Sequence, residues 1–228
     1  MIKKIVIITF FLMINFNVSA HVSHYSNLNK LEFDLFRNNK FIGTHIYNFK
    51  KNEKNLEVES IINFSIEKLG IVLYKYYAKG LEIYENDKLV SFNSTTKQNK
   101  KEKFCKITKK NEKYFIEGSS YKGFAPQNFI IGTWWNHSII KQDSQIRSIS
   151  GRIIAQKVTF LGEEEMMIGG KNFTALHFNF SSNDNKLSKD KKLNTDVWYD
   201  KKSLIWLKAS FNKKGYWEYR LKNINFLN

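Results

Sequence analysis

The stretch NLEVESIINFSIEK, residues 55–68, decides the fold. Its apolar side chains occupy alternate positions: Leu56, Val58, Ile62, Phe64 and Ile66. Its polar side chains occupy the positions between them: Glu57, Glu59, Asn63, Ser65 and Glu67. Successive side chains of a β-strand point to opposite faces of a sheet, so this alternation predicts a long strand with one buried and one solvated face.

The same alternation recurs on both sides of this stretch, in runs separated by short polar turns. Upstream, the runs 30–37 and 41–50 flank the turn Asn38-Asn39-Lys40 and predict a β-hairpin. Downstream, the predicted strands cover residues 71–85, 88–98, 102–109, 113–118, 153–165, 171–180, 195–200, 203–211 and 216–224. The alternation changes phase at Gly80, which predicts a bulge or a sharp bend there.

Consecutive hairpins build an antiparallel meander, and a meander of about a dozen strands curls round on itself. The sequence therefore predicts an all-β fold, an antiparallel meander that forms an open or half β-barrel with one short helix or loop as a lid. No linker rich in proline, glycine or serine divides the chain. Residues 21–228 are therefore expected to form a single domain.

One segment breaks the pattern: GFAPQNFIIGTWWNHSII, residues 123–140, contains no charged side chain. The apolar inner face of a curved sheet must be covered, and this segment is long and apolar enough to cover it. We expect a short helix over residues 126–132. Neighbouring residues of an extended chain point to opposite sides, so we expect only one of Trp134 and Trp135 to point inward. The segment is either a permanent plug or a lid that opens for a ligand.

A lid of this kind would close an apolar pocket with polar groups at its rim. The candidate ligand-binding residues are Phe129, Trp134, Trp135, Asn136, His137 and, on a predicted strand, His45. Asn136 and His137 would supply the polar groups of the rim.

Residues 1–20 have the features of a cleaved secretory signal peptide. Lys3 and Lys4 precede a short apolar core, and Val18-Ser19-Ala20 offers small residues for cleavage. We therefore expect a periplasmic protein whose mature chain starts near His21. Cys105 is the only cysteine, so the fold has no intramolecular disulfide.

The net charge of +16 allows three kinds of anionic partner. The predicted export argues against nucleic acid. It leaves an anionic membrane surface or an acidic glycan as candidates, although lysines on solvated strand faces need no partner.

No catalytic signature accompanies the titratable residues, so we predict neither an enzyme nor a cofactor. The spacing of His45, His137 and His177 matches no zinc site. A free amine and imidazole at His21, with His24 as a further ligand, would chelate copper only if the mature chain starts at His21. Catalysis would require that two or more of Asp196, Asp200 and these three strand and plug histidines meet in one cleft.

The chain also resembles a family, through FDLFRNNKFIGTHIYNF (33–49), GTWWN (132–136), FLGEEEMMIGGKNFTALHF (160–178) and DVWYDKKSLIWLKASF (196–211). Their order is similar to an uncharacterised family of secreted bacterial β-proteins, defined as a domain of unknown function. The resemblance implies an architecture similar to the half-barrels of periplasmic lipoprotein carriers.

The favoured functional hypothesis is an exported envelope protein that binds or carries a hydrophobic or amphipathic ligand such as a lipid. One alternative is a structural or adaptor protein that binds another envelope protein without a small ligand. Another is a hydrolase that acts on a glycan or a lipid.

Overall fold

The computed structural model describes residues 22–52, 55–182 and 192–227. The predicted signal peptide and His21 lie outside the described residues. The described chain contains two short 3-10 helices, Val22–Tyr25 and His137–Lys141. Its strands are β1 (Leu28–Arg37), β2 (Lys40–Asn52), β3 (Asn55–Lys68), β4 (Ile71–Glu85), β5 (Lys88–Gln98), β6 (Lys101–Lys110), β7 (Lys113–Gly118), β8 (Tyr121–Phe124), β9 (Phe129–Ile131), β10 (Ser144–Ile146), β11 (Ile153–Ile168), β12 (Lys171–Ser182), β13 (Asn194–Asp200), β14 (Trp206–Asn212) and β15 (Tyr216–Phe226).

The chain enters the sheet at its middle, because β1 pairs with β2 on one side and with β15 on the other. Strands β2 to β8 extend one half of the sheet by consecutive antiparallel pairs. The chain then crosses to the opposite edge, where β9 pairs in parallel with β10, and β11 to β15 return to β1. The order of the 15-stranded sheet ends at β8 and at β9, so the barrel is open. This confirms the predicted open antiparallel meander.

The predicted turns close the hairpins because their central residues adopt left-handed backbone conformations. Asn38 and Asn39 have φ angles of 49° and 62°, and Asn86 and Asp87 have φ angles of 47° and 64°. Two successive residues with positive φ match the right-handed twist of the flanking strands, and asparagine and aspartate tolerate this conformation better than most side chains. The ends of β3, β4, β5 and β7 consequently coincide with the predicted ends.

Of the bulge or sharp bend predicted at Gly80, the bulge is wrong. Gly80 lies opposite Ser60 of β3 and Ser94 of β5 in regular register. The register shifts of β4 lie nearer its two ends, between Ile66 and Glu67 on the β3 side and between Ile83 and Tyr84 on the β5 side. Strand β4 therefore keeps its alternation through Gly80.

The short helix predicted over residues 126–132 is also wrong. Residues 129–131 form β9, whose backbone pairs with β10 from Phe129 opposite Ser144 to Ile131 opposite Ile146. The backbone N–H of Gly132 then donates to the carbonyl of Ile146 over 2.9 Å. Pairing with β10 satisfies the backbone groups that a helix would have satisfied internally. The short helix of this region lies further on, at His137–Lys141.

Two apolar clusters fill the space between the sheet and the uncharged segment of residues 123–140. The larger cluster contains the fully buried side chains Leu31, Phe33, Leu35, Tyr47, Trp135, Phe180, Tyr199 and Trp206. The smaller one packs β5, β6 and β7 against β9 and β10 through Phe92, Cys105, Ile107, Ile116, Ile131 and Ile146. The uncharged segment therefore contributes to both clusters.

Candidate functional site

Trp135 anchors the uncharged segment to the inner face of the sheet. Its side chain is fully buried. Its ring meets Tyr25, Phe49 and Tyr84 edge to face, with centroid separations from 5.1 to 5.9 Å. This geometry is the one that aromatic pairs favour. The contacts tie the segment to the first 3-10 helix, to β2 and to β4.

Glu82 holds the same segment through hydrogen bonds. Its Oε1 accepts from the indole Nε1 of Trp135 and from Thr133 Oγ1, each over 2.9 Å. Its Oε2 accepts from the hydroxyl of Tyr84 over 2.5 Å. The carboxyl is 2% exposed, and burial raises its pKa above the ordinary value, although the three hydrogen bonds oppose that shift. Glu82 therefore joins β4 to two residues of the uncharged segment 123–140, here called the covering segment.

Sequence reasoning missed Glu82, although its signal is present. The inward positions of β4 are Ala78, Gly80, Glu82 and Tyr84, all of which are buried. The neighbouring Leu81 and Ile83 are outward and half-buried. In the sequence, Leu81 and Ile83 on either side of Glu82 suggest that the apolar face has switched to the odd-numbered positions. In the structure the even-numbered positions stay inward, and the carboxyl of Glu82 is buried. A glutamate in an inward position of an otherwise regular strand was the signal.

Trp134 also lies on the inner face, contrary to the expectation that only one of the two tryptophans would. Its backbone has a φ of 55°, so the chain is not extended here and the two rings need not point to opposite sides. The ring of Trp134 meets Trp206 and Tyr219 with centroids 5.6 Å away in each case. Its carbonyl accepts from the hydroxyl of Tyr199 over 2.8 Å. The two tryptophans thus cover opposite halves of the sheet.

His137 is paired with Tyr25 of the first 3-10 helix. Its backbone N–H donates to the phenol oxygen over 2.9 Å, and its ring Nδ1 lies 2.6 Å from the same oxygen. Burial lowers the pKa of His137 to about 4, so the ring is neutral at pH 7. His137 therefore fastens the segment to the start of the described chain.

His45 lies deep in the core on β2. Its Nε2 is 2.9 Å from Ser60 Oγ, and its Nδ1 is buried without a hydrogen-bond partner among the described residues. Burial lowers its pKa to about 3. Its ring neighbours are Phe33, Tyr47, Trp206 and Tyr219. His45 shares the last two with Trp134 and does not contact His137.

A cleft of about 420 Å³ lies beside the covering segment. Its apolar lining comes from Val22, Tyr84, Leu89, Tyr114, Phe129, Ile130 and Ile131, and its polar lining from Asp87, Gln127, Asn136, Ser138, Lys141 and Gln142. Tyr114 and Phe129 meet edge to face at 5.2 Å, and the Tyr114 hydroxyl donates to the Leu89 carbonyl over 2.6 Å. Of the predicted ligand-binding residues, Phe129 and Asn136 line this cleft.

Two further depressions contain none of the predicted ligand-binding residues. One, of about 580 Å³, lies across β4 to β8, and the other, of about 670 Å³, lies across β2 to β5. Lysines such as Lys79, Lys106 and Lys122 line the first. Neither depression touches the covering segment.

The titratable residues considered for catalysis are distributed over both faces of the sheet. His177 Nδ1 lies 2.8 Å from Glu164 and Nε2 lies 3.4 Å from Asp196, and its ring stacks on Trp198 at 4.1 Å. This cluster is on the outer face, because His177 is paired with Trp198 whereas the adjacent Phe178 is paired with the inward Val197. Glu164 and Lys208 cover the Trp198 ring on that side. Asp200 accepts from the Ser203 N–H and hydroxyl instead. Asp196 and His177 thus meet on the outer face, apart from His45 and His137.

The described residues contain no group of three or more histidine, cysteine or acidic side chains arranged to hold a metal ion. His24, one of the two copper-site candidates, places Nε2 2.5 Å from the Ser203 carbonyl, and its partner candidate His21 lies outside the described residues. Cys105 is buried, and burial raises the pKa of its thiol to about 12. No helix within the described ranges has the length and hydropathy needed to cross a bilayer.

These features define a class of protein: an open antiparallel β-barrel whose inner face is covered by a segment of its own chain. Within this class, the chain belongs to the family described as a domain of unknown function (DUF6134), whose sequence profile matches residues 33–222.

Comparison with solved structures supports the fold. The chain is similar to a β-barrel-like protein of the domain of unknown function DUF1849 from Brucella abortus, with a TM-score of 0.62 at 10% identity. The similarity covers 87% of this chain and 97% of that one. A DUF1329 family protein from Desulfovibrio piger aligns over 90% of this chain and 88% of that one at 10% identity. Its TM-score of 0.19 is too low to indicate a shared fold. No curated protein matches the chain.

Proposed function

We propose that the protein binds an amphipathic ligand, such as a lipid, in the cleft beside the covering segment. The observation that carries the proposal is the composition of this cleft. Its volume of about 420 Å³ lies within the range of small-molecule sites, and aromatic and aliphatic side chains share its lining with amide groups. An apolar chain of the ligand would contact Phe129 and Leu89, and its polar end would bond to Asn136 or Gln142.

The covering segment is a static plug in this proposal. Trp135 is fully buried, and Glu82 and Tyr25 hold the segment by hydrogen bonds on both sides of it. Lifting the segment would remove the Trp135 and Thr133 donors from the buried Glu82 carboxyl, which costs several kcal/mol. The ligand therefore enters beside the plug, where space already exists.

The proposal is non-enzymatic and includes export to the periplasm. Export is supported by the sequence of residues 1–20. A hydrolase is less well supported, because the Asp196 and His177 pair lies on the outer face and each carboxylate there already serves a neighbouring side chain.

A probe that fluoresces in apolar surroundings tests the site. N-phenyl-1-naphthylamine should bind the purified protein, and Ser138→Trp should weaken this binding at least about tenfold, because the indole fills the cleft without removing a core side chain. Ser120→Trp, at an exposed turn, is the matched control and should bind as the wild type does. Circular dichroism shows whether each variant is folded. Equal affinity in a folded Ser138→Trp variant would exclude the cleft.

An adaptor without a small ligand is the second candidate, and the filled interior around Trp135 favours it. Native mass spectrometry of protein purified from its host separates the two candidates. A co-purifying lipid that Ser138→Trp displaces supports the ligand-binding proposal. Empty protein that repeatedly carries a second polypeptide supports the adaptor.

A further inference from the structure

The hairpin of β3 and β4 projects beyond both neighbouring strands. Pairing of β3 with β2 extends only to Phe64 opposite Gly43, and regular pairing of β4 with β5 extends only to Tyr76 opposite Gln98. Residues 65–74 nevertheless stay paired with each other, as far as Lys68 opposite Ile71. They form a two-stranded ribbon, here called the projecting ribbon, with no strand on either side.

The tip of the projecting ribbon is apolar and exposed. Leu69 is 92% exposed, Ile71 65% and Leu73 55%. Leu69 also occupies a left-handed turn position with a φ of 51°, which suits asparagine or glycine better than leucine. Neither burial nor turn geometry accounts for a leucine at this position. A contiguous apolar tip on a projecting element is typical of a surface that contacts another apolar phase.

Lysines lie at both ends of the projecting ribbon. Lys68 adjoins Leu69 at the tip, and Lys75 follows the ribbon at its base. The β5–β6 turn brings Lys100 and Lys101 beside Lys75, because Asn99 accepts from the Lys75 N–H and donates its own N–H to the Lys75 carbonyl. Within the described ranges, these four lysines form no ion pair. Glu67 lies on the ribbon as well, and Glu102 is paired with Lys97 at 3.2 Å. The four lysines outnumber these two carboxylates, so the ribbon combines an apolar tip with a net positive surround.

The tip of the β11–β12 hairpin, at the end of the sheet opposite the projecting ribbon, is apolar but acidic. The β1–β2 and β14–β15 turns lie at the same end as the ribbon, where the Asn38 N–H donates to the Tyr216 carbonyl. The β11–β12 hairpin lies at the other end, where the Lys201 N–H donates to the Thr174 carbonyl. Its tip carries an exposed Met167, but the strand leading to it contains Glu163, Glu164 and Glu165. The β11–β12 tip therefore differs from the projecting ribbon, because acidic side chains flank its exposed methionine.

We propose that the projecting ribbon docks the protein on an anionic lipid surface, with Leu69, Ile71 and Leu73 entering the bilayer interface. Apolar side chains gain from leaving water, and each nearby lysine is attracted to acidic headgroups. The inference does not depend on a ligand in the cleft, because the cleft is lined by residues outside the ribbon.

Site-specific labelling tests the insertion. The one native cysteine is buried, so Leu69→Cys can be labelled selectively with the nitrobenzoxadiazole fluorophore. Vesicles of phosphatidylglycerol and phosphatidylethanolamine should increase its fluorescence and shift it to the blue, whereas phosphatidylcholine vesicles should not. Met167→Cys, labelled in the same way at the opposite end, is the control and should show no change. Equal responses at the two positions would overturn the proposal.

Vesicle flotation with unlabelled protein provides an independent measurement. The double variant Leu69→Asp with Ile71→Asp removes no buried side chain, so it should fold, and its affinity for the phosphatidylglycerol vesicles should fall at least about tenfold. Lys100→Glu with Lys101→Glu should weaken binding to the anionic vesicles and reduce its salt dependence. Wild-type protein that does not float, or a Leu69→Asp, Ile71→Asp variant that floats equally well, refutes docking on lipid.

Discussion

At the scale of single residues, the cover over the inner face depends on a carboxyl that the strand pattern does not favour. Glu82 occupies an inward position of β4 and accepts from Trp135, Thr133 and Tyr84. Acidic side chains are seldom buried unless they are hydrogen-bonded, because the charged form loses its hydration. The three donors offset part of that cost and fix the direction from which the covering segment approaches.

Glu82→Ala should lower the free energy of unfolding by about 2–4 kcal/mol, because it leaves the buried Trp135 indole N–H without its acceptor and removes one hydrogen bond each from Thr133 and Tyr84. Glu85→Ala, on the same strand with an exposed side chain, should change stability by less than about 0.5 kcal/mol. Urea denaturation followed by tryptophan fluorescence measures both. A Glu82→Ala variant as stable as Glu85→Ala would show that the carboxyl does not hold the segment.

At the scale of elements, the segment of residues 123–140 is a composite of a strand and a 3-10 helix. Between them, Thr133, Trp134 and Trp135 form a tight turn in which the Trp135 N–H donates to the Thr133 carbonyl over 2.7 Å. The left-handed conformation of Trp134 allows two consecutive large rings to reach the same face. This one turn therefore places an aromatic ring over the inner face of each half of the open sheet.

The two tryptophans should differ in their contribution to stability. Trp135→Ala should lower the free energy of unfolding by about 3–5 kcal/mol, because it opens a cavity and removes a donor from Glu82. Trp134→Phe should cost less than about 1.5 kcal/mol, since the indole Nε1 it removes is buried without a partner among the described residues. Thermal and urea denaturation of the two variants provide the comparison. Equal losses would argue that the rings do not play separate roles.

At the scale of the whole molecule, the first strand of the chain is a central strand of the sheet. The stability of the fold therefore depends on contacts between residues that are far apart in the sequence. Strand β1 is paired with β15 from Leu28 opposite Phe226 to Arg37 opposite Trp217. Ordering such distant partners costs loop-closure entropy before the pairing is gained, so folding is expected to be slow and cooperative. Titratable groups buried in that sheet therefore affect the global unfolding equilibrium.

The global stability should fall as the pH is lowered from 7 to 5. Burial lowers the pKa of His45 to about 3 and of His137 to about 4, whereas both take protons near pH 6.5 once unfolded. The unfolded chain thus binds more protons in this window. The fully buried His45 removes about 2 kcal/mol of stability by pH 5, and His137 acts in the same direction to a smaller extent. Glu82, with its raised pKa, opposes the trend, since its contribution is largest at low pH and is lost as the pH rises through the folded pKa.

Comparing the wild type with His45→Gln and His137→Gln separates the two effects. His45→Gln should reduce the slope of unfolding free energy against pH between 5 and 6 by about 1.2 kcal/mol per pH unit, and His137→Gln should reduce it by less. Urea denaturation at closely spaced pH values measures the slopes. An unchanged slope in both variants would mean that neither histidine is neutral and buried in the folded protein.

Much of the fold could be predicted from the sequence, and less of the candidate site. Asn38-Asn39, Asn86-Asp87 and the alternation of residues 55–68 are local signals that report local backbone conformation. The uncharged composition of residues 123–140 likewise predicted a cover for the inner face. The predicted helix over 126–132 was wrong because β10, a later segment, offered β9 a partner strand.

The sequence alone determined the strands, their turns and the antiparallel meander, because side-chain alternation and turn chemistry act over a few neighbouring residues. Only the tertiary structure decided that Glu82 bonds to Trp135, 53 residues away, that both tryptophans point inward, and that a cleft remains beside Phe129. The partner of a buried polar group and the space left between packed side chains depend on which distant surfaces meet. The alternation of side chains along the chain contains no information about these distant contacts.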